Sequence, residues 1–183
     1  MEHPEVPLEH AQEQIMHHAH GETESWVMGV ALTAAILAVL AAITALLAEH
    51  HANEAMLDQI RSSDDWSHYQ AKSIKEKIAL MKVDLLAAVG KPAVAKDSEE
   101  PGRYEEEEKE IAKKAEEEEH ASAAHLRNHT ILSFGVTMFQ VAIAVGAIAV
   151  LTKRKRFWHV AMGFGLVGSG FLVAGLVVSL LAH

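Results

Sequence analysis

The chain contains no cysteine, which excludes disulfide frameworks, thiolate metal centres and cysteine nucleophiles together. Lysine and arginine are absent from the first 24 residues, where six glutamates stand instead. A secretory leader needs a basic start, so this segment is not expected to be one. Neither proline nor glycine occurs from Glu49 to Val89. From Arg103 to Thr152 proline is again absent, and glycine appears only as Gly135 and Gly146. Long helices without breakers are the expected result.

Charge is missing in three places. Trp26 to Ala48 and Thr130 to Thr152 hold no Asp, Glu, Lys or Arg, and Phe157 to Ala182 holds only His159. About 20 apolar helical residues cross a hydrocarbon core of roughly 30 Å, and each run is longer than that. Three buried helices of a soluble protein would leave too little chain to cover them. The expected fold class is an all-α membrane protein, with three transmembrane helices and a helical, coiled-coil-like hairpin between the first and second. Residues 1–24 form an acidic, His-rich N-terminal segment, a candidate amphipathic helix. Transmembrane helices are expected at 25–48, 130–152 and 157–182, with the extramembrane hairpin at 49–129 and its loop at about 90–102. A basic loop, 153–156, joins the last two.

That loop is Lys153, Arg154, Lys155, Arg156. Basic residues in short loops stay in the cytoplasm, which places the N-terminus there and the hairpin outside. In a bacterial inner membrane the hairpin would then be periplasmic. Trp26 and Trp158 both fall at the cytoplasmic interface, where indoles are favoured. The net charge of -9 argues against nucleic acid as a partner.

Within the hairpin, Gly90, Pro92, Pro101 and Gly102 bracket the expected loop. Met56, Ile60, Ile74, Ile78, Met81 and Leu85 follow three- and four-residue spacing and are the expected seam between the arms. Extending the count puts Ser63, Ser67 and Gln70 in that seam, with Trp66 and Tyr69 beside them. Trp66, Tyr69, Gln70 and Lys72 are the expected polar layer, of the kind that fixes register or partner choice. The return arm, Tyr104 to Glu119, is rich in Glu and Lys and reads as a solvated helix. Its shortness against the outgoing arm leaves two readings: a loop that covers the difference, or a bend near Ser62 to Asp65.

Small residues recur in the spans. Ala31, Ala38 and Ala45 repeat every seven residues, as do Ala34, Ala41 and Ala48, with Ala35 and Ala42 beside them. In the third span Gly163, Gly165 and Gly168 match a dinucleotide-binding pattern, but no strand precedes them and no acidic residue follows. With Ala161, Ser169, Gly170, Ala174 and Gly175 they read instead as a small-residue packing face. Ala31, Ala34, Ala38, Ala41, Ala45, Gly165, Ser169 and Gly170 are therefore the candidate helix-packing and oligomer contacts. A homo-oligomer is expected.

Histidine is abundant, at 13 residues. Glu13, His17 and His20 would share a helical face, with His18 adjacent. His50 and His51 follow the first span, while His125 and His129 precede the second. Four imidazoles on one side of the membrane suit zinc or copper, or titration between about pH 6 and 7. Ordinary interfacial polar residues are the plainer reading.

Three stretches resemble a known family: Leu32–Ile43 (LTAAILAVLAAI), His51–Met56 (HANEAM) and Asp65–Lys75 (DWSHYQAKSIK). The family is the bacterial membrane-protein group known as domain of unknown function 4337. The resemblance extends over most of the chain, including the Glu/Lys return arm and the basic connection. It implies a multi-pass bacterial membrane protein, with no activity, cofactor or catalytic residue to carry over. The His-rich N-terminus (His3, His10, His17, His18, His20) departs from the family pattern.

The expected function is that of a structural or accessory membrane protein. It would self-associate in the lipid bilayer, present the hairpin as an assembly surface and engage membrane protein partners. No cofactor is expected. A channel or transporter subunit is the alternative, although the spans offer only Gln140, a few hydroxyls and His159 to line a path. A metal or pH sensor at His50, His51, His125 and His129 is another. No nucleophile stands beside a base, so an enzyme is not expected.

Overall fold

The computed structural model describes residues 23–92 and 94–181. The readings placed on Glu13, His17, His18, His20 and the rest of residues 1–22 lie outside the described residues. Three helices account for the described chain: α1 (Thr23–Ala88), α2 (Ala95–Thr152) and α3 (Lys155–Leu181). The all-α expectation holds, and all three helices are long and apolar enough to cross a membrane by length and composition.

The hairpin loop is shorter than 90–102, because α2 already begins at Ala95 and carries Pro101 within it. Proline's φ, near about -65°, is helical, so in the second turn it forfeits one hydrogen bond without ending the helix. Pro101 is also buried, which offsets part of that loss. The longer α2 reduces the mismatch between the arms, and α1 runs without a break through Ser62 to Asp65.

Both helix-to-helix turns use the same stop. Gly90 has φ 71°, Gly90 N–H donates to Ala87 O at 3.1 Å, and Lys91 N–H to Leu86 O at 2.9 Å. Lys153 has φ 52°, with Lys153 N–H on Val150 O at 3.2 Å and Arg154 N–H on Ala149 O at 3.1 Å. These are paired C-terminal bonds around a left-handed residue. The expected basic loop thus narrows to Lys153 and Arg154, while Lys155 and Arg156 open α3.

The described residues form two compact units, one reaching up to 47 and resuming from 131, the other lying between 48 and 130. In the first, small residues bring the helices together. Ala161, Gly165, Gly168 and Gly175 of α3 are buried. A Cβ placed on Gly135 would lie 3.3 Å from the Gly168 carbonyl oxygen, and one on Gly168 would lie 2.9 Å from the Phe139 ring. Phe139 is fully buried and Leu132 nearly so. Trp158 lies over Gly29 and donates its indole N–H to Thr33 Oγ1 at 3.1 Å. The Thr33 hydroxyl donates in turn to Gly29 O at 2.7 Å, so the indole is satisfied without water. Trp26, Val30 and Ala149 form a buried cluster with partly covered Val27, Val150, Phe157 and Trp158.

The candidate packing residues divide. Ala41 and Gly165 are buried inside the chain, Ala34 and Ser169 are half-buried, and Ala31, Ala38, Ala45 and Gly170 are exposed.

In the second unit α1 and α2 are antiparallel arms. The buried α1 residues are Ala48, His51, Ala55, Asp58, Ser62 and Ala79, and the first five alternate steps of three and four, a heptad seam. Glu108, Ala115, Ser122 and Asn128 are buried on α2. The expected seam is overturned: Met56, Ile60, Ile74, Ile78, Met81 and Leu85 are all more than half exposed. The physical reason is size. Ala and Ser at seven-residue intervals let two backbones approach where Ile and Met would hold them apart, and the close approach lets polar side chains reach across. Ser122 Oγ–H donates to Ala55 O at 2.8 Å, Lys114 pairs with Asp65 at 2.9 Å, and Lys72 pairs with Glu107. These ties step outward on α1 as they step back on α2, which fixes the register.

Gly168→Ala should cost about 1–3 kcal/mol, because the enclosed Phe139 ring cannot give way. Gly165→Ala meets only the movable end of Leu37 and should cost much less. Thermal unfolding in detergent, followed by circular dichroism, measures both; equal losses would contradict this packing.

Candidate functional site

The first turns of the hairpin gather its ionisable groups. His51 and Asp58 lie seven residues apart on the inner face of α1, and α2 brings His125, Asn128 and His129 against them. His51 Nδ1 lies 3.0 Å from His125 Nδ1, and His51 Nε2 lies 2.8 Å from Asn128 Nδ2. His129 Nδ1–H donates to the Ala48 carbonyl at 2.8 Å. His125 Nε2 stands 3.9 Å from Asp58 Oδ2, and Asp58 also accepts from Arg61 at 3.3 Å. His51 is 8% exposed and Asn128 2%, so this network is closed to water on its inner side.

The arrangement constrains its protons. A hydrogen bond between two imidazole nitrogens needs one of them bare, so the His51–His125 contact holds only while at least one ring is neutral. Asn128 Nδ2–H donates to His51 Nε2, which suits a neutral His51. His51 then carries its proton on Nδ1 and donates it to His125 Nδ1, which leaves His125 Nε2 turned toward the Asp58 carboxylate. Burial pushes the His51 pKa below its ordinary value, and the neighbouring His125 and His50 add to the shift. His129 acts in the same direction, and Glu54 opposes.

Of the candidate metal ligands, His51 and His125 are in contact. His50 is exposed on the far side, its ring centroid 5.6 Å from that of His51, and His129 is bonded to backbone. Among the described residues, no group of three or more His, Asp or Glu side chains is arranged to hold a metal ion.

The expected polar layer is divided. Trp66 and Tyr69 are half-buried and stack edge to face, with centroids 5.5 Å apart. Lys72 bonds Glu107, whose pKa is lowered chiefly by that hydrogen bond, and sits 5.5 Å from the centre of the Tyr104 ring. Gln70 is exposed and outside the inner seam. Asp58, Ser122 and Asn128 were not among the residues read from the sequence. Counting sevens onward from Ala41 and Ala48 to Ala55, and from His51 to Asp58, is the signal that finds the α1 side.

An all-helical chain with three helices of membrane-crossing length and a polar-seamed helical hairpin is the class that this fold defines. Residues 26–178 match the family described as a domain of unknown function (DUF4337), and the chain belongs to that family. No curated protein and no solved structure matches it.

The lowered His51 pKa sets the direction of a pH dependence. The unfolded chain takes up a proton that the folded hairpin resists, so this contribution is complete above about pH 6.5 and is lost as pH falls through the folded value. The detergent-solubilised protein should melt at a lower temperature near about pH 5 than near about pH 8, and His51→Gln should narrow that gap. An unchanged gap would exclude His51 as its source.

Proposed function

We propose that this is a non-catalytic integral membrane protein that associates with copies of itself and presents its hairpin as an assembly surface. The observation that carries the reading is the inverted hairpin: small and polar residues are inside, and Met56, Ile60, Ile74, Ile78, Met81 and Leu85 are outside. A solvated helix pair rarely leaves so many large apolar side chains uncovered, and such faces mark interaction sites. The exposed stripe of Ala31, Ala38 and Ala45 in the first unit adds a close-packing face for helices in lipid. The natural setting is a bacterial cytoplasmic membrane, with Lys153 to Arg156 on the cytoplasmic side and the hairpin on the other. Contact between His51 and His125 favours a second reading, in which the hairpin base responds to proton concentration.

Light scattering of the detergent-solubilised protein tests self-association: a protein mass well above the single-chain 19.9 kDa is expected, and a single-chain mass overturns it. Orientation is checked separately, since the chain has no native cysteine. In intact cells, with outer-membrane access ensured, Lys91→Cys should react with a membrane-impermeant maleimide and Lys155→Cys should not. The reverse pattern would invert the topology.

A further inference from the structure

We infer that the turn between α2 and α3 binds an anionic phospholipid, with its phosphate among Lys153 to Arg156 and one acyl chain in the furrow beneath them.

Four cations stand in sequence where α2 ends and α3 begins, and all four are exposed. Among the described residues no carboxylate pairs with any of them, and the first turn of α3 holds no acidic residue. Four like charges this close repel one another, and a bound anion relieves the repulsion. Lys153 holds φ 52°, a conformation that glycine adopts more freely, so a cation stands there at a cost in strain. Trp158 lies three residues inside α3, the level at which indoles mark the boundary between headgroups and hydrocarbon. Cations at that level attract acidic headgroups, by about fivefold in affinity for each Lys or Arg.

Below the turn runs a shallow apolar furrow. Its floor is buried Ala142 and Gly146 of α2. Half-buried Thr33 and Ala34 of α1 form one wall, and half-buried Trp158 and Met162 of α3 form the other. The Trp158 indole N–H donates to Thr33 Oγ1 at 3.1 Å, so neither side chain demands a hydrogen bond from an occupant. The furrow starts at Trp158 and reaches Ala142, ten residues before the end of α2. At 1.5 Å per residue that is roughly 15 Å, half of a hydrocarbon core of roughly 30 Å. One leaflet is the depth that a lipid chain occupies.

Charge above and hydrocarbon below call for one molecule that carries both. A free phosphate leaves the furrow open, and a zwitterionic lipid leaves the cations without a net counter-charge. The six glutamates of residues 1–24 can neutralise cations but cannot enter an apolar furrow.

Native mass spectrometry of the full chain in detergent tests the site, with phosphatidylglycerol or phosphatidylcholine of the same chains as the added lipid. Phosphatidylglycerol should bind at least about tenfold more tightly, and Lys155→Gln with Arg156→Gln should remove most of that difference. Lys75→Gln with Lys77→Gln, in the hairpin, should not. Ala34→Leu, which narrows the furrow, should weaken phosphatidylglycerol binding several-fold, and glycerol phosphate should not displace the lipid. Equal binding of the two lipids by the unaltered chain, a comparison that needs no variant to fold, would overturn the inference. So would an equal loss in the Lys75 and Lys77 variant, because the attraction would then be diffuse. Displacement by glycerol phosphate would exclude a lipid as the ligand, and binding indifferent to Ala34→Leu would exclude the furrow as the seat of its chain. A native protein mass of one chain would remove the self-association proposed above and leave this site standing.

Discussion

Close approach of α1 and α2 through alanine and serine is the constraint on which the hairpin depends. Ala48, Ala55, Ser62, Ala79 and Ala115 are buried at the contact, and none is long enough to hold the helices apart. Two consequences follow from that proximity. Polar side chains at the intervening positions can bond directly across the pair, as Ser122 does to the Ala55 carbonyl. Large apolar side chains have no place in so narrow a seam and are left on the outer face. The inner seam thus contributes register and the outer one leaves apolar surface to be covered.

The helices of membrane-crossing length use the same device with glycine. Gly135 and Gly168 approach so nearly that a Cβ on either would meet the other's carbonyl oxygen at 3.2–3.3 Å. Between helices in lipid there is no hydrophobic gain from association, so dispersion contacts at this range supply the attraction. The turn that follows α2 departs from the usual chemistry. Lys153 holds a left-handed conformation that costs a non-glycine residue about 1–2 kcal/mol. Gly90 meets the same demand without strain. Keeping a lysine where glycine fits better preserves the run of four cations from Lys153 to Arg156.

Placing histidine in a polar seam has its own result. His51 is wedged between His125 and Asn128, so its neutral form is the one that fits, while His125 looks toward Asp58. Proton uptake and the closure of the hairpin base oppose each other, although the membrane-spanning segments contain almost no ionisable groups.

Composition alone determined that the chain is helical and where its three apolar spans lie, because the charge-free runs and the lack of breakers are local properties. That histidines from both arms gather at the hairpin base was also legible, since His50, His51, His125 and His129 stand next to span boundaries that charge defines, but which of them touch was not. The loop end was misjudged because Pro101 tolerates a helical φ and is buried, facts that its identity does not disclose. The seam was misread for a deeper reason. Spacing in α1 supports two heptad faces, and hydrophobicity favours the one with Ile74, Ile78 and Leu85. Only the tertiary structure decides between them, because the choice depends on how near α2 can come, and that distance is set by side chains on both helices at once.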